Sequence, residues 1–220
     1  MGNNDAQTGA ERGCYKGRKP LANIRCLTLD LSSLAAVRKA AAQVNAYPEP
    51  IHVLINNAAA AIGPYKVTVD GLESQIATDH IGAFLFTSLI SRKLLAAKRR
   101  RTRRANTQGL DFAQMQRPDA GKYDAFGAYN EAKSANVLFA AELSRRAAGK
   151  INAYSVSPGA IFTNIQQKPD RIIEADGQPN PKNLHKPGSY LHDCNIAPTE
   201  ALAKELWSVT EKIVGEQFNI

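Results

Sequence analysis

Apolar positions recur along this chain in two alternating rhythms. Ile24 to Leu29 alternates and stops at Asp30, as a strand would. Ser32 or Ser33 can then cap a helix that carries Leu34, Val37, Ala41 and Val44 at helical spacing and is closed by Pro48-Glu-Pro50. Ile51 to Ile55 is a short unbroken apolar run, the pattern of a strand buried on both faces. A long helical pattern follows from about Leu72 to Ala97, with Ile76, Phe84, Leu85, Leu89 and Leu94 on or near its buried face. A second spans about Ala128 to Ala148 and a third Pro198 to Gly215, where Leu202, Leu206, Val209 and Ile213 fall in register. Ile151 to Val156 reads as the next strand, and Pro169, Pro179, Pro181 and Pro187 make 166–190 an extended loop. Strands alternating with helices predict an α/β fold: a Rossmann-like, doubly wound parallel sheet in a single domain over residues 1–220. Residues 1–20 and 98–120 lack a period and are expected to be loop or disordered.

Composition narrows the class. With 44% hydrophobic and 22% charged residues, the 220-residue chain suits one sizeable soluble core. No apolar run approaches the roughly 20 residues of a membrane span, and the polar N-terminus lacks a signal-peptide core. Cys14, Cys26 and Cys194 show no metal spacing, and the four histidines are dispersed, so a reduced cytoplasmic setting without a bound metal is expected. The net charge of +8 looks at first like a nucleic-acid signal. Yet Lys98 through Arg104 holds six basic residues in seven positions, and without them the charge falls to +2. One local tract of this kind reads as a solvated loop, so no nucleic-acid partner is expected.

The candidate chemistry begins with Tyr129 and Lys133 in Tyr-Asn-Glu-Ala-Lys, one helical turn apart. A phenol with a pKa near 10 is a poor acid-base catalyst at neutral pH, and a neighbouring cation favours its ionised form. The pair is thus a plausible proton-transfer device for a carbinol or a carbonyl. By itself the spacing is common. Its context is less so: Asp30-Leu31, Asn56-Asn57-Ala58-Ala59, Tyr129 with Lys133, and Pro158-Gly159 with Thr163 follow in that order, at strand ends or on the next helix. Ligands of open α/β sheets bind at such strand ends.

In these motifs the chain resembles the short-chain dehydrogenase/reductase family. Gly82 to Thr87 (G-A-F-L-F-T), Tyr129 to Asn136 and Gly188 to Cys194 bring it nearest to the retinol-dehydrogenase-like and WW-domain-oxidoreductase-like branch. The resemblance covers roughly residues 21–97, 121–167 and 188–217. It implies hydride transfer between an alcohol and a carbonyl with NADP or NAD, on a small lipophilic substrate. It also implies roles for individual residues. Tyr129 would give or take the proton, while Lys133 would bind the nicotinamide ribose and lower the Tyr129 pKa. Asp30 and Leu31 would contact the adenine. Asn56, Ala58 and Ala59 would line the ribose, and Pro158, Gly159, Ile161 and Thr163 would hold the nicotinamide end. Asp30 is open to a plainer reading as a helix cap. A homodimer through the two long helices is a further implication.

The chain also departs from that pattern. The family opens with a strand, a glycine-rich phosphate turn and a helix. Only 29 residues precede Asp30, the first 20 of them largely polar, and Thr8 to Gly13 lacks the strand and helix that a phosphate loop needs. The family's substrate-polarising serine has no counterpart, since no serine lies between Arg92 and Ala128 and Thr107 is a poor substitute. Its supporting asparagine falls on Asp79, and its Asn-Asn-Ala-Gly has become Asn-Asn-Ala-Ala. A substrate-side helix is also missing between Gln167 and Gly188. These losses fall in blocks, as removed or replaced segments would leave them. The first strands, the phosphate loop and the serine-bearing strand are expected to be absent. The expected activity is accordingly weak or nil, and the alternative is a non-catalytic remnant that binds a nucleotide or a partner.

Overall fold

A computed structural model of the chain describes residues 23–60, 63–97, 101–104, 115, 120–156, 190–191 and 200–220. Helix α1 (Leu34–Ala46) starts where its pattern predicts. Ser33 is the N-cap, its hydroxyl accepting from the Ala36 N–H at 3.4 Å, and Asp70 accepts the Leu34 N–H at 2.8 Å. Orphan N–H groups of the first turn are thereby satisfied. Replacing Ser33 with Ala should cost about 0.5–2 kcal/mol, read as a lower urea midpoint at unchanged slope. Strand β1 (Val53–Ile55) follows Pro48 and Pro50.

The long helical pattern becomes several pieces. Helix α2 (Ser74–Ile76) passes into a π-helical turn (Ala77–Ile81), then α3 (Gly82–Leu89), and after a break at Ile90 into α4 (Ser91–Leu95). The break has a backbone cause: Ile90 lies at φ −98°, ψ 7°, off the helical values. Strand β2 (Arg101–Arg104), helix α5 (Ala125–Arg146), strand β3 (Ala153–Val156), strand β4 (Tyr190–Leu191) and helix α6 (Glu200–Val214) complete the described order.

The four strands form one parallel sheet in the order β1-β2-β3-β4. Leu54 pairs with Thr102, Thr102 with Ala153, and Ser155 with Tyr190. Four expectations change here. The basic tract is not a loop throughout: Arg101 to Arg104 is an inner strand, hydrogen-bonded on both sides. Pairing to two neighbours overrides the low strand preference that its charge suggested. Ile24 to Leu29 is extended but joins no described ladder, because an extended segment becomes a strand only by pairing. Leu27 and Leu29 still pack against the core. Strand β1 is not buried on both faces. It is an edge of the described sheet, and Val53 and Ile55 are 53% and 60% exposed. Tyr190 and Leu191 likewise turn the end of the expected loop into a strand by pairing with β3. The expectations for residues 1–20 lie outside the described residues.

The core lies where α3, α5 and α6 meet. Phe84, Phe139, Trp207 and Phe218 are buried there with Leu85, Leu138, Leu143 and Leu206. Buried His80 joins them, its Nε2 3.1 Å from the Thr210 hydroxyl. Glu142 is buried beside this cluster and is bonded by Arg145 at 2.6 Å and Arg146 at 2.8 Å. Burial pushes its carboxyl up, but the two guanidinium groups outweigh that and hold it below the usual range. Arg146 also lies over the Trp207 ring, 4.4 Å from its centroid. The α5–α6 pair thus braces the helix that carries Tyr129 and Lys133.

Candidate active site

Helix α5 begins at a defined cap. The Asp124 carboxylate accepts from the N–H groups of Phe126 at 3.2 Å and Gly127 at 2.8 Å. Gln75 anchors the same end, donating to the Tyr123 hydroxyl at 2.6 Å and the Ala125 carbonyl at 3.0 Å. Tyr123 in turn donates to the Gly63 carbonyl at 3.1 Å. Five residues into the helix stands Tyr129, half-buried, with Lys133 one turn beyond.

The Lys133 Nζ is 2.7 Å from Asp79 Oδ2 and 4.9 Å from the centroid of the Tyr129 ring. Asp79 is fully buried on the π-helical turn, and its other oxygen accepts the Ala60 N–H at 2.5 Å. One carboxylate therefore links the loop after β1 to the helix of Tyr129. π-helical turns are rare and are found frequently at functional sites.

This geometry reverses one expectation. The Tyr129 phenol is pushed above its ordinary value, first by burial and then by the charge of Asp79. Lys133 cannot lower it as an isolated ammonium would, because Asp79 faces the same cation and offsets its field.

The remaining predicted residues divide. Asn56 at the end of β1 donates from its amide to Thr87 at 3.1 Å, a tie from strand to α3 and not a projection into open space. Ala58 and Ala59 are exposed on the loop that reaches Asp79. Asp30 is exposed, and its carboxylate accepts from the N–H of Ser32 at 2.9 Å and its hydroxyl at 2.6 Å. It shapes the turn before the helix, and the cap itself is Ser33. Leu31 touches α3 so closely that a Cβ added at Gly82 would stand 2.2 Å from its carbonyl oxygen. Gly82 is three residues beyond Asp79, so Leu31 is held one turn from the site. Pro158, Gly159, Ile161, Thr163 and Thr107 lie outside the described residues. The hydroxyl residue within β2 is Thr102, in register with Leu54 and Ala153. Gln75 and Tyr123 were not found from the sequence, where nothing marked them apart from other polar positions. Asp124 could have been found as a cap just before the helical pattern.

A family model described as short chain dehydrogenase matches residues 10–171. The chain belongs to the short-chain dehydrogenase family. It is 32% identical to the chloroplastic short-chain dehydrogenase TIC 32 A of Brassica napus over 237 residues, covering 89% of this chain and 73% of that protein. It is 30% identical to retinol dehydrogenase 11 of Homo sapiens over 226 residues, covering 85% and 68%. A crystal structure of an uncharacterized protein from Mycobacterium Paratuberculosis superposes with a TM-score of 0.62 at 26% identity, covering 87% of this chain and 76% of that one. Rossmann-like α/β architecture and membership of an oxidoreductase family are thus established for this short-chain dehydrogenase. Among its described residues no helix is long and apolar enough to cross a membrane.

Proposed function

We propose that this short-chain dehydrogenase interconverts a small lipophilic alcohol and its carbonyl, slowly, with Tyr129 exchanging the proton. The observation that carries the reading is Tyr129 standing beside the Lys133–Asp79 pair, next to the loop at the carboxyl end of β1. The likeness to a protein named retinol dehydrogenase supports the substrate class. NADP or NAD fits this end of the sheet, because Ala58 and Ala59 leave the loop surface open and Lys133 brings an ammonium to the same place. That cofactor would accept or supply the hydride. Lys133, Ala58 and Ala59 would hold its ribose, Asp30 and Leu31 its adenine, and Pro158, Gly159, Ile161 and Thr163 its nicotinamide end.

In the reducing direction, the carbonyl oxygen that becomes an alkoxide takes the phenol proton of Tyr129, and water restores that proton to the tyrosinate. Oxidation runs the same proton backward, with the tyrosinate as base.

Slow turnover follows from two features of this chain. No serine lies between Arg92 and Ala128, so the stretch offers none to polarise the substrate oxygen. Such a donor commonly contributes two or three decades in rate. Lys133 is also engaged by a carboxylate. Tyr129→Phe should lower kcat about 10²–10⁴-fold while leaving nucleotide binding by calorimetry intact. Unchanged turnover in that variant would remove the proposal. The engagement of Lys133 by Asp79 favours one alternative, a non-catalytic nucleotide-binding protein, which nucleotide binding without any turnover would select.

A further inference from the structure

Asp79 does more in this arrangement than occupy a supporting position. It is fully buried, and each of its oxygens holds a different element: Oδ1 the Ala60 N–H after β1, Oδ2 the Lys133 ammonium on α5. A buried carboxylate needs such partners, since an unpaired charge in that setting is strongly disfavoured. The carboxylate and the ammonium stand 2.7 Å apart, and as an ion pair their charges reach Tyr129 with opposite signs. Among the described residues, the charged groups around the phenol come from two elements, Lys133 on its own helix and Asp79 on the π-helical turn. From the neighbouring α2, the Glu73 carboxylate caps Gln75 and Ile76 and faces the Tyr123 hydroxyl. Asp124 caps the start of α5.

We propose that Asp79 is a positioning residue that sets the pH range in which Tyr129 exchanges its proton, by holding Lys133 in a buried ion pair. This rests on the proposed role of Tyr129. A neutral amide at this position would leave the Lys133 charge to act on the phenol, while the carboxylate offsets that charge and adds its own repulsion to the tyrosinate. The phenol consequently stays protonated further into alkaline solution. Carbonyl reduction, which needs the phenol, keeps its rate to higher pH. Alcohol oxidation, which needs the tyrosinate, begins at higher pH. Both limbs move together, because the ratio of forward and reverse rates at any pH is fixed by the reaction equilibrium and not by the enzyme.

The test compares the wild-type chain with Asp79→Asn and Asp79→Glu. An absorbance titration of tyrosinate, with the Tyr129→Phe trace subtracted, reads Tyr129 alone and needs neither substrate nor cofactor. Asp79→Asn should move that titration to lower pH, and Asp79→Glu, which keeps the charge, should leave it near wild type. Alcohol oxidation on the acid side of its limb should rise about three- to tenfold in Asp79→Asn. Should that variant fail to fold, Asp79→Ser keeps a small oxygen acceptor for Ala60 and reads the same shift. A Tyr129 titration that stays in place or moves upward when the carboxylate is removed would overturn the inference. The two proposals fail separately: a shifted titration in a chain without turnover sinks the catalytic reading alone, and Tyr129-dependent turnover with an unmoved titration sinks the role of Asp79 alone.

Discussion

Phe84→Ala should destabilise the fold by about 3–5 kcal/mol, a large share of the roughly 5–15 kcal/mol typical of a domain. Phe84 is 1% exposed and stands at the centre of the aromatic core. Its ring centroid is 4.8 Å from Trp207, 5.3 Å from Phe139 and 5.9 Å from Phe218, with edge or tilted geometry. Such pairs add to the stabilisation from burial alone. The ring joins α3 to α5, α6 and the C-terminal segment, so no single neighbour can move in to fill the space. Val69→Ala is a suitable control, since Val69 is 87% exposed and its change should stay within about 0.5 kcal/mol. Urea unfolding followed by Trp207 fluorescence reads both. A loss near 1 kcal/mol for Phe84→Ala would mean that the four aromatic residues do not form one packed cluster.

Gly82→Val should also be damaging, for a different reason. Gly82 opens α3, where alanine is ordinarily preferred over glycine by about 1 kcal/mol. Here the preference is outweighed, because the added Cβ would lie 2.2 Å from the Leu31 carbonyl oxygen and 3.0 Å from two further Leu31 backbone atoms. Backbone cannot rotate away as a side-chain tip can. Either α3 retreats from Leu31 or the Asp30–Ser33 turn opens, and overpacking of this kind costs about 1–3 kcal/mol, occasionally more. Val, with two more methyl groups, should fall beyond Ala in the same direction. The damage should reach the site, since Asp79 is one turn before Gly82 on the same helical run. A lower melting temperature together with a changed Tyr129 titration is the expected result. A variant as stable as wild type would show that Leu31 and α3 are not in contact.

The legible elements were those whose local signals agree. Helix α1 has a serine cap, an apolar stripe and prolines beyond its end, and helix α6 has an apolar stripe with glycine after it. Strand β2 was not legible, because Arg-Thr-Arg-Arg carries no strand signal and its conformation comes from β1 and β3 on either side. The reverse held for Ile24 to Leu29, which has a strand pattern but no described partner. Tyr129 and Lys133 were found by spacing, yet their electrostatics were not. The direction of the phenol's shift depends on Asp79, fifty residues earlier in the chain, and on a π-helical turn that no periodicity announces. Asn56 illustrates the same limit, since its amide is used on Thr87 across the fold. Sequence order identified the family, and tertiary contacts decided what each polar group does.

One comparison is decisive: reduction of a small lipophilic aldehyde by the 220-residue chain with NADPH and with NADH, set against Tyr129→Phe at equal nucleotide occupancy. The predicted result is slow consumption of reduced nicotinamide with formation of the matching alcohol, lost about 10²–10⁴-fold in the variant. Equal rates in the two proteins, or no alcohol from either, would contradict it.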